Sequence, residues 1–262
     1  MPQFIAMAQP EPRTSDSMAG SETWKGRRIG ITGAGGELGR ALTRHLRRRG
    51  AWVVALSHRP KPTEQNSQSG PQEWICWSCG QEEKLDSTLS HLDVLVLNHG
   101  INPGGDQCPE SLNMALEINA LSQWRLLQRF EQVERDLPQQ SRPPELWVNT
   151  SEAEIQPALS PAYELSKRLI GQLVSLRWSA PRQERSQLPM LRKLVLGPFR
   201  SELNPIGVMS ADFVAGQILW QAERGLPLII VTPNPITLLV MPLTELGRLI
   251  YNRIFRISRR DP

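Results

Sequence analysis

From residue 26 to residue 232 the chain alternates short apolar runs with longer stretches whose apolar residues recur at helical spacing. "RIGIT" (28–32), "AWVVALS" (51–57), "EWICWS" (73–78), "LDVLVLNHG" (92–100), "ELWVNTS" (145–151), "LRKLVLG" (191–197) and "LPLIIVT" (226–232) read as strands. Most carry consecutive apolar residues, the pattern of strands covered on both faces. "ELGRALTRHLRRRG" sets Leu38, Leu42 and Leu46 on one helical face and stops at Gly50. Further helices are expected at 111–137, where Leu112, Leu116, Ala120, Trp124 and Leu127 keep helical spacing, at 161–179 and at 210–224. The alternation gives an α/β class: a single doubly wound domain, 26–232, whose seven-stranded, mostly parallel sheet has helices on both faces. Residues 1–25 are rich in Pro, Ser and Glu and read as a disordered leader with no secretory signal pattern.

The first strand runs directly into "TGAGGELG" (32–39), with glycines at 33, 35, 36 and 39. Glycines let backbone approach a pyrophosphate, and the following helix N-terminus offers free N–H groups. A ligand-free tight turn is the alternative, but a loop after the first strand of an alternating chain is the Rossmann-like dinucleotide context. The second strand ends in "SHRP" with no carboxylate for a ribose 2′-hydroxyl. Ser57, His58 and above all Arg59 therefore favour NADP over NAD, the alternative being a solvated loop arginine.

Tyr163 and Lys167 stand four apart in "LSPAYELSKRLIG" and share one helix face. With two tyrosines and five lysines in the chain, chance pairing at this spacing is rare. A phenol titrates near pH 10, and a neighbouring ammonium is expected to lower that value into the range of an acid–base catalyst. A strand ending in Thr150 and Ser151 lies twelve residues upstream.

Taken in order, these segments resemble the short-chain dehydrogenase/reductase family over residues 26–232. Thr32, Gly33, Gly35, Gly36, Leu38 and Gly39 match its cofactor loop, and Asn98, His99 and Gly100 stand where it has an Asn-Ala-Gly element. Ser151, Tyr163 and Lys167 match its active-site signature, and Asn119 falls at its helical catalytic asparagine. The resemblance implies an NADP- or NAD-dependent enzyme interconverting a small-molecule alcohol and carbonyl. Tyr163 would be the general acid/base, Lys167 would lower its pKa and bind the nicotinamide ribose, and Ser151 would hold the substrate oxygen. Asn119 would anchor a relay water, and the helices beginning near 111 and 161 would pair in a homo-oligomer. Four positions depart from the family pattern. Glu37 replaces a small residue, "WSCGQEE" stands where an adenine-binding Asp is usual, Gly197–Pro198 inverts a Pro-Gly, and His99 occupies a cofactor-side position. A catalytically silent dinucleotide-binding regulator is the competing reading.

Composition changes this picture little. Apolar residues make up 39% and charged residues 21% of 262, and the net charge of +4 is carried almost wholly by arginine. The cluster at 44–50 fits cations at a helix C-terminus, so nucleic acid is not expected as a partner. Three cysteines fit a reducing, cytoplasmic setting, and "CWSC" (76–79) lacks the second pair a zinc site needs. Prolines 227, 233, 235 and 242 are expected to interrupt any helix in the uncharged run 226–243. Beyond it, Leu246, Leu249, Ile250, Ile254 and Ile257 form an apolar stripe in an arginine-rich helix. Two uses are open for that stripe: packing on the domain or a subunit, or lying on an anionic membrane surface, which would favour a lipophilic substrate.

Overall fold

The computed structural model describes residues 23–62, 69–134, 142–181 and 185–257. Residues 1–22 of the expected leader and the last five residues of the tail lie outside them. Seven strands form one parallel sheet: β1 (Arg28–Thr32), β2 (Trp52–Ser57), β3 (Glu73–Cys76), β4 (Val94–Leu97), β5 (Glu145–Asn149), β6 (Met190–Leu196) and β7 (Leu228–Val231). Their order is β3-β2-β1-β4-β5-β6-β7. The chain returns to β1 to place β4, so the topological switch point lies between those two strands. In open α/β sheets that crevice, at the carboxyl ends of the strands, receives ligands.

One face of the sheet is covered by α1 (Glu37–Arg48) and α6 (Ala211–Glu223). Leu38, Leu42 and Leu46 of α1 are buried there with Ile31, Val53, Ile218 and the Trp24–Trp147 pair, whose rings meet edge-on at 5.6 Å. Trp24, in the stretch read as leader, is 1% exposed and belongs to this core. The arginines at the end of α1 are paired internally: Arg44 and His45 with Asp212, and Arg49 with Glu223.

The opposite face is covered by α2 (Asp86–Leu89), α3 (Pro109–Leu116), α4 (Ser122–Gln132) and α5 (Pro161–Trp178). The short α2, with the 3-10 turn Glu82–Leu85 before it, fills the third crossover, where the sequence pattern shows no helix. The expected helix at 111–137 begins at Pro109, carries a π turn at Glu117–Leu121 and ends at Gln132; 135–137 lie outside the described residues. The π turn rotates the buried face. Leu112 and Leu116 are only half-buried, whereas Ala115, Ala120, Leu126, Leu127 and Phe130 are fully enclosed.

The last described element is α7 (Pro235–Ile257), which over residues 235–243 contradicts the expectation that prolines interrupt any helix in that run. Pro235 occupies the first turn, where no N–H is required, and Asn234 caps Ile236 at 3.0 Å. Pro242 lies inside the helix and gives up one backbone bond there. Helix α7 packs against α5, with Thr237, Met241 and Glu245 buried.

Candidate active site

The glycine loop is shaped by close approach. Gly33 has φ +63°, and a Cβ there would lie 2.8 Å from His99 Cα. A Cβ on Gly39 would meet the Gly33 carbonyl oxygen at 2.4 Å, so α1 can sit this tightly on the loop only with glycine. Gly35 and Gly36 have room, and Gly36 is the N-cap of α1 with no side chain capping it. The first-turn amides of α1 are thus free of side-chain partners at a cavity of about 1040 Å³. Glu37 turns to Arg40 at the half-exposed rim, where its charge also suits the positive helix end.

The residues at the ends of β1 and β4 lock together. Thr32 Oγ1 accepts from the Asn98 amide at 2.8 Å and the His99 amide at 3.2 Å, and His99 Nδ1 lies 2.8 Å from it. The His99 ring stands edge-on to Trp77 at 5.3 Å, with Nε2 buried and unpartnered. Burial, with repulsion from Lys167, pulls its pKa to about 3, so the imidazole is neutral above that value. Asn98 accepts from Asn149 Nδ2 at 2.9 Å. A Cβ at Gly100 would lie 2.9 Å from Asn119 Oδ1.

Asn119 sits in the π turn and is fully buried. Its Oδ1 accepts from the Ile101 amide at 2.7 Å, and its two amide hydrogens go to the Ile101 carbonyl and to Ser166 Oγ, each at 2.9 Å. The Asn119 side chain thereby pins the 100–101 loop to α5.

Ser151, Tyr163 and Lys167 converge at the other end of the cavity. Ser151 follows β5, caps the 3-10 turn Glu152–Glu154 through Ala153 N at 3.2 Å, and faces the Tyr163 hydroxyl. Tyr163 and Lys167 share the inner face of α5, with Lys167 Nζ 5.7 Å from the phenol ring centroid. Lys167 Nζ donates to the Asn149 carbonyl at 3.1 Å. Burial raises the phenol pKa above 10, helped by the Glu152 carboxylate and opposed by Ser151. The lowering expected from the i, i+4 spacing is therefore outweighed. Lys167 bears the opposite effect: burial draws its pKa down to about 8 against the attraction of Glu154.

At the β2 end, Leu56, Ser57, His58 and Arg59 line the cavity. Ser57 Oγ accepts from Arg59 N at 3.1 Å, and the exposed Arg59 guanidinium reaches Glu202 at 3.7 Å across the opening. Trp77, Ser78 and Cys79 line the wall where the family pattern has an Asp. Behind them Glu82 is buried; desolvation would raise its pKa, but Arg125, Ser122 and the Gly80 amide hold it at about 2. Cys76 and Cys79 are free thiols, and no metal-binding cluster occurs among the described residues. Gly197 approaches Thr232 so closely that a Cβ would meet its Oγ1 at 2.4 Å. Pro198 then turns the chain into a loop, 199–208, that folds over the cavity and contributes Leu203, Ile206 and Val208.

A pocket-lining segment near 198–210 was expected, but the sequence did not single out Trp77 or the carboxylates behind Ser151. Glu152 accepts from Thr232 at 2.7 Å and Thr237 at 3.2 Å, and Glu154 from Lys193 at 2.7 Å. One signal was available: a lysine within the apolar strand "LRKLVLG" requires a buried anion opposite it.

No protein-family model matches the chain. A curated protein of Synechocystis sp., named monoglucosyldiacylglycerol epimerase, is 39% identical over 250 residues, an alignment covering 92% of this chain. The chain spans 58% of the length of that relative. Among solved structures, the ligand-free aldohexose dehydrogenase of Thermoplasma acidophilum is 15% identical with a TM-score of 0.63, over 79% of this chain and 93% of that one. With the strand order above, that likeness establishes a doubly wound, Rossmann-like α/β fold.

Proposed function

We propose that the chain is a short-chain dehydrogenase/reductase-type enzyme that uses NADP(H) or NAD(H) to invert one carbinol carbon of a glycosylated lipid. The observation that carries this reading is the single cavity joining the glycine loop to Ser151, Tyr163 and Lys167. The printed activity of the 39% identical relative supports the reaction class and the substrate.

The residues present fit a dinucleotide. Gly33 and Gly39 leave no Cβ against the loop, the first turn of α1 has uncapped amides, and Leu56–Arg59 flank the adenosine end. A bound nicotinamide would supply a reversible two-electron acceptor, so oxidation and re-reduction of the same carbon would leave no net change in the cofactor. Tyr163 would take the hydroxyl proton as the carbinol carbon is oxidised to a ketone and would give it back as that carbon is reduced. Inversion would require the ketone to turn over in the cavity between those two steps. Ser151 holds the reacting oxygen by hydrogen bond. Lys167, ionised below about pH 8, would oppose the burial that holds Tyr163 as the phenol and so ease its loss and uptake of a proton.

The test is incubation of the chain with a detergent-dispersed glucosyl lipid and NADP⁺ or NAD⁺ in D₂O. Expected is an epimerised headgroup, no net cofactor reduction, and no solvent deuterium at the inverted carbon. Net reduction of the cofactor without epimer would assign plain dehydrogenase chemistry, and deuterium at that carbon would exclude a returned hydride. NADP preference rests on Arg59; Arg59→Ala should lower the NADPH/NADH affinity ratio, with an unchanged ratio excluding that role. A homo-oligomer through α3 and α5 is supported by exposed Met114 and Leu165, and sedimentation should show it.

A further inference from the structure

Helix α7 is inverted relative to an ordinary surface helix. Its packed face is polar: Thr237 and Glu245 are buried beside Met241, and Arg248 turns in toward Glu154 and Glu245. Its apolar residues point outward. Ile236, Leu239, Leu243, Leu246, Ile250 and Ile254 are each at least half exposed, up to 68% at Leu239. Their spacing places them on one arc of the helix over five turns. Contiguous exposed apolar surface of this extent marks an interaction site.

Charge selects the occupant. The only carboxylate in α7 is Glu245, and it is consumed in the buried cluster with Lys193 and Arg248. The outward side of the helix therefore carries no anion, whereas Arg253 is exposed at its edge, and Arg256, Arg259 and Arg260 follow in the sequence against the single carboxylate of Asp261. An apolar arc with cationic flanks complements the headgroup boundary of an anionic bilayer. A spanning segment is a different matter, since no helix among the described residues is long and apolar enough to cross a membrane.

Position gives the surface a use. Helix α7 starts at the carboxyl end of β7, and its first turn is tied to the cavity wall through Thr237 and Glu152. The cavity mouth carries its own exposed apolar residues: Leu159 at 91%, Ile206 and Val208.

We propose that the outward face of α7 is a docking surface for an anionic lipid bilayer, holding the cavity mouth at the level from which a lipid-anchored substrate enters. The docking surface stands on the helix itself; only the identity of what enters rests on the epimerase reading.

The experiment is flotation of the full 262-residue chain with phosphatidylcholine vesicles, with and without phosphatidylglycerol. The wild-type chain should float with the anionic vesicles, less as salt is raised and less without phosphatidylglycerol. Combined Leu239→Asp, Leu243→Asp and Ile250→Asp should return it to the lipid-free background. Phe213→Asp, at an exposed apolar position on the opposite layer, should float like wild type. Unchanged urea midpoints would confirm that the substituted chains fold. A wild-type chain that does not float, or a triple variant that floats equally, overturns the proposal. So does a wild-type oligomer that ignores vesicles and dissociates on the triple substitution, because the face is then a subunit interface. Epimerisation of detergent-dispersed lipid without flotation would remove the docking surface alone. Flotation without turnover would retain docking and remove the epimerase reading.

Discussion

Helices α5 and α7 lie side by side on one layer and bury opposite kinds of side chain. Helix α5 turns Ala162, Ile170 and Val174 into the core and carries Tyr163 and Lys167 to the cavity. Helix α7 turns Thr237, Glu245 and Arg248 inward and leaves its aliphatic residues outside. The reason is the surface each one meets. Most of α5 lies over apolar strands, whereas α7 meets α5 at Lys193, a fully buried cation that bonds Gly171 and Ser175 of α5 and needs carboxylates within hydrogen-bonding distance. Glu154 and Glu245 supply them at 2.7 and 2.8 Å, and Arg248 balances the second anion. A helix's buried side is therefore set by its neighbour's chemistry as much as by its own hydrophobicity.

The two lysines sharpen the contrast. Lys193 is held between two carboxylates, while Lys167 donates to a single carbonyl at 3.1 Å and has its pKa pulled to about 8. The first is a neutralised cluster; the second is a charge kept uncomfortable beside the phenol, the condition on which its proposed role rests.

The largest expected effect is on the chemistry of α5. Tyr163→Phe should lower turnover by about 10²- to 10⁴-fold, the usual contribution of a positioned acid/base. Cofactor affinity, followed by fluorescence titration, should hold. A variant with near-normal turnover would take the catalytic role away from α5. Next comes the joint with α7. Lys193→Met leaves Glu154 and Glu245 buried with Arg248 and the Ser175 hydroxyl and should cost about 3–5 kcal/mol in urea unfolding. A loss below about 1 kcal/mol would mean that α7 is held by something other than this cluster.

A smaller effect concerns pH. Lys167 binds its proton less tightly folded (about 8) than in its ordinary state at 10.5. Between those values the unfolded chain binds more protons, so stability from this group should rise as pH rises from 8 to 10.5. Lys167→Met should flatten the curve in that window, and an unchanged slope would refute the depressed value. The same sign holds at acid pH, where stability should fall as pH drops from 6.5 toward 3 through His99 and from 4.5 toward 2 through Glu82. The smallest effect belongs to the outer face of α7: Leu243→Asp should change stability by no more than about 0.5 kcal/mol. A larger loss would show that this face is covered.

The strands and the helices carrying the glycine loop and Tyr163 were legible because their signals are local. β1 occupies residues 28–32 as the pattern indicates, and α5 begins at Pro161 and ends at Trp178 against an expected 161–179. The π turn was not legible: its residues Glu-Ile-Asn-Ala-Leu have no composition that distinguishes them from α-helix, and only packing of Asn119 against the 100–101 loop reveals it. Nor could proline counting anticipate the first turns of α7, ahead of the expected arginine-rich helix, since one proline falls at the first turn and another is tolerated on its exposed side. The Tyr–Lys spacing placed both groups on one face but misjudged the phenol, because spacing conveys proximity and carries no information about burial.

By itself the sequence determined the alternation of strands and helices, the parallel sheet, and which residues could serve a dinucleotide and a proton transfer. These follow from periodicity, glycine chemistry and side-chain type within a few turns of chain. Tertiary structure alone decided how burial shifts Tyr163, Lys167 and His99, which carboxylates neutralise Lys193, and which side of α7 faces outward. Those outcomes depend on electric fields and contacts between segments as far apart as Glu154 and Arg248, and no local pattern encodes them.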